Sequence, residues 1–299
     1  MRFYIVDAFT DTLFGGNPAG IVILEKGADF PKEEVMQKTA AELRYSETAF
    51  IRQTGETEFH LRYFTPAAEV DLCGHATIGS FSALADAGLV KYGSSCIADT
   101  PAGRLNIVLS AGSVLMDMAS PLAIDRITNP EAVREVYGIM GLSEAGQGEI
   151  LSGGKAGMVL FPELISTGLP DIMLPVRDEK ELAAISPDFP ALSELSARYE
   201  VTGVHAFTVN TTDGAIHCRN FAPLYDIDEE AATGTSNGAL TYYLYHYGLL
   251  KEGTENLVIQ GEAMDRPSKI KTLLTTDEVG VRIQVGGTAV ILASGEIRI

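Results

Sequence analysis

Residues 49–66 read AFIRQTGETEFHLRYFTP, and residues 206–223 read AFTVNTTDGAIHCRNFAP. Set side by side at an offset of 157, without gaps, they share Ala49/Ala206, Phe50/Phe207, Thr54/Thr211, His60/His217, Arg62/Arg219, Phe64/Phe221 and Pro66/Pro223. Beyond the proline the second copy carries three extra residues, so Cys73-Gly74-His75 falls on Thr233-Gly234-Thr235 and Gly88-Leu89 on Gly248-Leu249. Such a repeat means one supersecondary unit used twice. In each copy an alternating segment such as His60–Phe64 reads as a half-buried strand. A glycine then opens a helix, and Gly88 is placed to end the first one as a C′ residue. The helix after Gly74 carries one charge, Asp86, and the helix after Gly234 carries none. Helices that are apolar nearly all round are buried ones. The fold expected is α+β: two pseudo-symmetric halves, each a mostly antiparallel sheet rolled around a central helix, facing each other across a cleft.

Working outward, further strands are expected at Phe3–Ala8, Gly20–Leu24, Asn106–Leu109, Ser113–Met118, Gly157–Phe161, Val281–Val285 and Ala289–Ala293. Pro31 with Glu33 and Glu34 opens an amphipathic helix through Leu43. Ala119–Ile124 reads as the linker between halves. Residues 162–200, richer in proline and charge, read as a peripheral insertion with a short helix near Glu179–Ala184.

At 299 residues the chain is long enough for two domains and a sizeable core. Its 22 Lys and Arg against 40 Asp and Glu give a net charge of −18. That argues against a nucleic-acid binder, which needs a positive footprint, and against docking on anionic membranes. Three cysteines, Cys73, Cys96 and Cys218, imply no disulfide framework and suit a reducing cytoplasm. The opening MRFYIVDAFTD has early acids and too short an apolar run for a signal peptide. No apolar stretch approaches the roughly 18 residues that span a bilayer.

The chemistry-bearing residues cluster at the repeat. Gly74-His75 and Gly234-Thr235 open helices, where free N–H groups and the dipole favour a carboxylate. The alternative is two ordinary helix starts, with Thr235 acting as a cap. Glu47, between Ser46 and Thr48, could be a general base or a solvated loop glutamate. At the offset of 157 it falls on Val204, so this acid belongs to one half only. In Asp226–Glu230 the member best placed to enter a cleft is Glu230. Two carboxylates sharing a cleft would separate their pKa values into an acid and a base. Cys73 could be an activated thiol at a helix start or a small buried residue. Its repeat partner is Thr233, which disfavours a two-thiol racemase. His75 is the histidine at a helix mouth, whereas His60 and His217 alternate with apolar residues and read as structural. The histidines show no metal-ligand spacing with the acids or cysteines, so no metal is expected. Gly234–Gly238 fits G-x-S-x-G, but an acidic run precedes it and the only later histidine, His246, is on the same helix. Ser152–Gly157 lacks Walker spacing and reads as a turn.

Several segments in fixed order, YIVDAFTDTLFGGNPAGIVIL, YSETAF, FTPAAEVDLCGHATIG, FAPLYDIDEEAATGTSNGAL and the closing GTAVILASGEIRI, resemble the PhzF-like phenazine-biosynthesis family. The resemblance covers nearly the whole chain. It implies a diaminopimelate epimerase-like fold, with residues 1–120 plus 288–299 as the first half and 121–287 as the second. It implies a cofactor-independent isomerase that moves a proton between carbons of a dihydro-hydroxyanthranilate through a glutamate, and a homodimer. By motif match Glu47 is that glutamate. Gly74, His75 and Cys73 belong to the first substrate-binding turn, and Gly16-Asn17 to an early substrate-side loop. Where the family has E-D-P-A-T-G-S, this chain has Glu229-Glu230-Ala231-Ala232-Thr233-Gly234-Thr235, so Glu230 stands for the aspartate and Thr235 for the serine. His75, Glu230 and Thr235 would then orient substituents or share the proton, and Gly74 and Gly234 would bind a carboxylate on a small substrate. Two other readings stay open: an amino- or imino-acid epimerase using Glu47 and Glu230, and a non-catalytic small-acid binding protein.

Overall fold

A computed structural model describes residues 1–142, 159–278 and 280–299. The described chain divides into two compact units, Met1–Asp117 with Gly286–Ile299, and Met118–Val285.

In the first unit β1 (Arg2–Ala8) pairs antiparallel with β2 (Asn17–Ile23) and with the C-terminal β18 (Ala289–Glu296). Helix α1 (Glu33–Leu43) connects β2 to its parallel neighbour β3 (Glu47–Gln53). β3 turns back into antiparallel β4 (Glu58–Phe64), which pairs antiparallel with the short β5 (Glu69–Val70). Helix α2 (Gly74–Asp86) then leads to β6 (Ser95–Thr100), parallel to β4. β7 (Gly103–Ser110) follows antiparallel to β6, and β8 (Ser113–Asp117) antiparallel to β7. Every α2 residue from His75 to Leu84 is buried, as its nearly uncharged sequence requires. The other sheet face packs Val22, Phe50 and Phe64 against Met36 and Ala40 of α1. Gly88, at φ +72°, follows α2 as expected.

The second unit repeats this order. β9 (Leu122–Arg126) is followed by α3 (Pro130–Ile139), β10 (Glu163–Ser166) and β11 (Pro170–Pro175). After α4 (Glu179–Ala184) and α5 (Phe189–Tyr199) comes β12 (Gly203–Thr208), parallel to β11. β13 (Ile216–Ala222) pairs antiparallel with β12 and with β14 (Ile227–Glu230). Helix α6 (Gly234–His246) precedes β15 (Glu255–Gln260), parallel to β13, and β16 (Ser268–Asp277) returns antiparallel. β17 (Gly280–Gly287) carries the chain across the division at Gly286. Most ladders in both units are antiparallel, and each unit contains a buried helix, the α+β class read from the repeat. Among the described residues no helix is long and apolar enough to cross a membrane.

Four readings need correction. First, the repeat is not free of gaps. Arg62 and Arg219 correspond, each paired with an acid on the next strand, Glu69 and Glu229. Yet β3 pairs Thr48 with Phe64 and Phe50 with Arg62, while β12 pairs Val204 with Phe221 and Ala206 with Arg219. Thr48 therefore corresponds to Val204, and Glu47 to Gly203 instead of Val204. A one-residue slip exchanges the faces of a strand. Phe50 accordingly packs toward α1, whereas Phe207 meets Tyr243 of α6 with ring centroids 5.2 Å apart. The shared Ala-Phe is a coincidence of composition, and the extra residue lies in the 209–215 connection.

Second, residues 162–200 are no peripheral insertion. Their helix stands at Glu179–Ala184, but Leu164, Ile172 and Leu174 lie in the core with Val204, Ala206 and Phe221. Proline and aspartate at the ends of short strands disguised them. Third, Leu122–Ile124 of the expected linker belong to β9. Fourth, Val159–Phe161 form no strand. The rest of that expected strand, Gly157 and Met158, and the Ser152–Gly157 turn lie outside the described residues.

Candidate active site

The first unit gathers the starts of three elements. Gly16 turns the chain into β2 at φ +63°, where a Cβ would lie 2.1 Å from the Ala8 carbonyl oxygen, so only glycine fits. That turn delivers Asn17. Glu47 opens β3, paired beside Ala19 of β2. Cys73 is the N-cap of α2, and His75 is in its first turn. The helix start is pinned from below: Thr77 Oγ1 donates to the Cys73 carbonyl at 2.7 Å, and the Tyr63 hydroxyl lies 2.7 Å from Thr77 Oγ1.

His75 is the hub and its side chain is 3% exposed. Its Nε2 lies 3.1 Å from Glu47 Oε2 and 3.2 Å from Ser46 Oγ. Its Nδ1 lies 3.1 Å from Asn17 Nδ2 and 3.5 Å from Cys73 Sγ. The Glu47–His75 contact is an ion-pair approach without the direction of a hydrogen bond, and Glu47 Oε2 accepts no directed hydrogen bond there. Burial pushes the Glu47 carboxyl up. The His75 charge, with the polar approach of His75, Ser46 and Cys73, outweighs that and holds it below the usual glutamate value of 4.5. The solvated-loop reading of Glu47 is thereby set aside, since its side chain is only 15% exposed. Glu47, Cys73 and His75 also bring one ligand atom each within 4.8 Å of one another. Residue spacing could not reveal this cluster, because β3 supplies one member and α2 the others.

In the second unit Glu230 ends β14 and accepts from Thr233 Oγ1 at 2.8 Å. Glu229, its neighbour, is paired with Arg219 through two 2.8 Å bonds. Successive strand residues face opposite ways, which separates the structural acid from the candidate one. Gln260, fully buried at the end of β15, organises the turn. Its Nε2 donates to the Glu230 carbonyl at 2.7 Å, and its Oε1 accepts from the Thr233 N–H and from Asn237 Nδ2. No motif marked Gln260, which reaches the site through the β13–β15 pairing. Gly234 opens α6, and Thr233 is its N-cap, so Thr235 is not the cap. Thr235 instead accepts on its carbonyl from Thr167 Oγ1 at 2.8 Å.

Ser236, the serine of G-x-S-x-G, is buried in a structural network. It donates to Asp171 Oδ2 at 2.5 Å and accepts from Asn220 Nδ2 at 3.2 Å, and Asn220 also meets His205 Nδ1 at 3.2 Å. No histidine touches that serine among the described residues, so no nucleophile is activated. His217 is likewise structural, with Nδ1 2.7 Å from Glu262 Oε2 and Nε2 3.2 Å from Asp213 Oδ2.

Burial drives the Asp171 carboxyl up to about 6, against smaller opposing bonds from Ser236 and the Gly203 N–H. A folded pKa above the unfolded one means stability that is full at low pH and lost as pH rises through about 6. Asp171→Asn is therefore expected to raise the melting temperature at pH 8 but not at pH 4, with a gain of up to about 3 kcal/mol. Thermal melts at the two pH values check this; a pH-independent difference would count against a buried charge.

A family model described as phenazine biosynthesis-like protein (PhzC-PhzF) matches residues 6–295. The chain is 31% identical over 308 residues to the uncharacterized isomerase YddE of Escherichia coli K12, covering 99% of this chain and 97% of that protein. It is similar to the crystal structure of a PhzF-family phenazine biosynthesis protein from Bacillus anthracis, at 26% identity and a TM-score of 0.85, covering 100% of this chain and 99% of that one. A probable proline racemase from Agrobacterium radiobacter K84 shares the fold at 13% identity and a TM-score of 0.65, covering 100% and 93%.

Proposed function

The chain belongs to the phenazine biosynthesis-like (PhzC-PhzF) family and is an isomerase, and on that premise we propose that Glu47 shuttles a proton between two carbons of a small carboxylate-bearing substrate. The observation that carries this reading is the state of Glu47: a nearly buried carboxylate held ionised, with one oxygen that accepts no directed hydrogen bond. Such a group can take a proton from an activated carbon and return it to another, leaving the composition of the substrate unchanged. His75, fixed by Asn17, Ser46 and Cys73, orients the carboxylate and steadies the charge that the proton leaves behind. The N-terminal N–H groups of α2 at Gly74 supply a dipole end for the substrate carboxylate. The resemblance adds Glu230, Gly234 and Thr235 as substrate-orienting residues. No step in this scheme calls on a cofactor. Three buried cysteines, Cys73, Cys96 and Cys218, suit the cytoplasm, and sedimentation would check the homodimer that the resemblance implies.

The test is proton NMR in D₂O with a dihydro-hydroxyanthranilate, followed by amino and imino acids if that substrate is inert. Isomerisation with deuterium at the new C–H position supports the reading. Saturable binding without any exchange in the whole panel would leave a binding protein. Because the Glu47 carboxyl sits below 4.5, the acid limb of kcat/KM is expected below that pH. An acid limb near 6 would point to a different base.

A further inference from the structure

The three side chains around His75 have the dimensions of a metal site. Tetrahedral zinc with bonds of about 2.0–2.1 Å to nitrogen, 2.0–2.2 Å to oxygen and 2.3 Å to sulfur holds its ligands about 3.4 Å (N to O) and about 3.6 Å (S to N) apart. In the first unit His75 Nε2 is 3.1 Å from Glu47 Oε2 and 3.7 Å from Cys73 Sγ. All three ligand atoms lie within 4.8 Å of one another. The two pairs that include His75 Nε2 are therefore within a few tenths of an ångström of tetrahedral spacing, and a rotation of the Glu47 or Cys73 side chain would close the third.

We propose that Glu47, Cys73 and His75 form a reversible zinc site, with a fourth position left to water, and that zinc occupying it switches the isomerase off. Thiolate, imidazole and carboxylate together make a donor set suited to zinc and cobalt and poorly suited to magnesium or calcium. A ligating histidine donates its other ring N–H to a carbonyl or carboxylate. Asn17 is positioned for that role at His75 Nδ1 once its amide presents oxygen to the ring. The net charge of −18 raises the concentration of divalent cations around the protein. Binding releases to solvent the Cys73 thiol proton and the proton that His75 carries in its ion pair with Glu47, so affinity rises with pH, and no electron is transferred. The second unit has Gly203, Thr233 and Thr235 at the corresponding positions, so a single site per chain is expected. The inhibitory part of the proposal rests on the assignment of Glu47 as the base, because the metal would occupy the oxygen that takes the proton. The binding part does not.

Cobalt(II) is the probe, titrated into the full-length reduced protein. The expected result is a 1:1 endpoint with the intense visible bands of tetrahedral cobalt and a thiolate-to-cobalt charge-transfer band, all erased by zinc. Cys73→Ala should remove the charge-transfer band, while Cys96→Ala and Cys218→Ala should keep it. Asn17→Ala should weaken binding by about 10–100-fold, and Glu47→Gln or His75→Gln by at least as much. Absence of a tetrahedral spectrum in the wild type, or a spectrum unchanged in Cys73→Ala, overturns the site. Should Cys73→Ala fail to fold, loss of the spectrum in His75→Gln with retention in Cys218→Ala decides the same point. A 1:1 site that leaves isomerisation untouched upholds the metal centre and overturns the inhibition, and it counts against Glu47 as the base.

Discussion

Glu47→Gln is expected to lower the rate of isomerisation by at least roughly 10²–10⁴-fold with the fold retained. Glutamine matches glutamate in shape but has no basic oxygen to receive a proton from carbon. The oxygen that matters, Oε2, accepts no directed hydrogen bond within the structure. The cost to folding lies in the approach of His75 Nε2 at 3.1 Å and in the contacts of Ser46 and Cys73 with the same carboxyl. The D₂O experiment reads the effect directly, since the variant should neither convert substrate nor exchange its proton. A thermal melt alongside shows that lost activity is not lost structure. Full activity in Glu47→Gln would remove Glu47 from the chemistry and return the base to another group.

The second large effect lies in the other unit, at the position that corresponds to Glu47. A Cβ at Gly203 would stand 1.8 Å from the Phe221 carbonyl oxygen, 2.8 Å from its carbon and 3.0 Å from Ala222 Cα. All three are backbone atoms of β13 and cannot rotate away. Gly203→Ala is therefore expected to cost about 3 kcal/mol or more, at the upper end for overpacking substitutions. A urea titration checks this through a lowered midpoint; an unchanged midpoint would mean that the strands part easily there. The two halves thus differ by more than drift in sequence. Where one has a carboxylate at the mouth of a strand, the other has a strand pair too close for any side chain, so the repeat cannot supply a second, symmetry-related glutamate.

The amino-acid sequence alone determined the architecture in outline. An apolar helix of this kind has nowhere to go but the interior, and its recurrence after matching strands in 49–66 and 206–223 requires two similar units. The resemblance named Glu47, His75 and Glu230, and the helix starts at Gly74 and Gly234 could be read from local turn chemistry. What the sequence left undecided was whatever depends on strand register and on pairing between distant segments. Ala206-Phe207 matches Ala49-Phe50 letter for letter but is one residue out of step, because hydrogen bonding to the neighbouring strand, and not residue identity, decides which face a side chain takes. β10 and β11 hid among prolines and acids because their burial comes from α6 and β12, far along the chain. Gln260 carries no local signal and becomes part of a site only when β15 lies beside β13. The ionised state of Glu47 was likewise settled by tertiary structure: burial opposes the charge, and the histidine brought beside it from another element tips the balance.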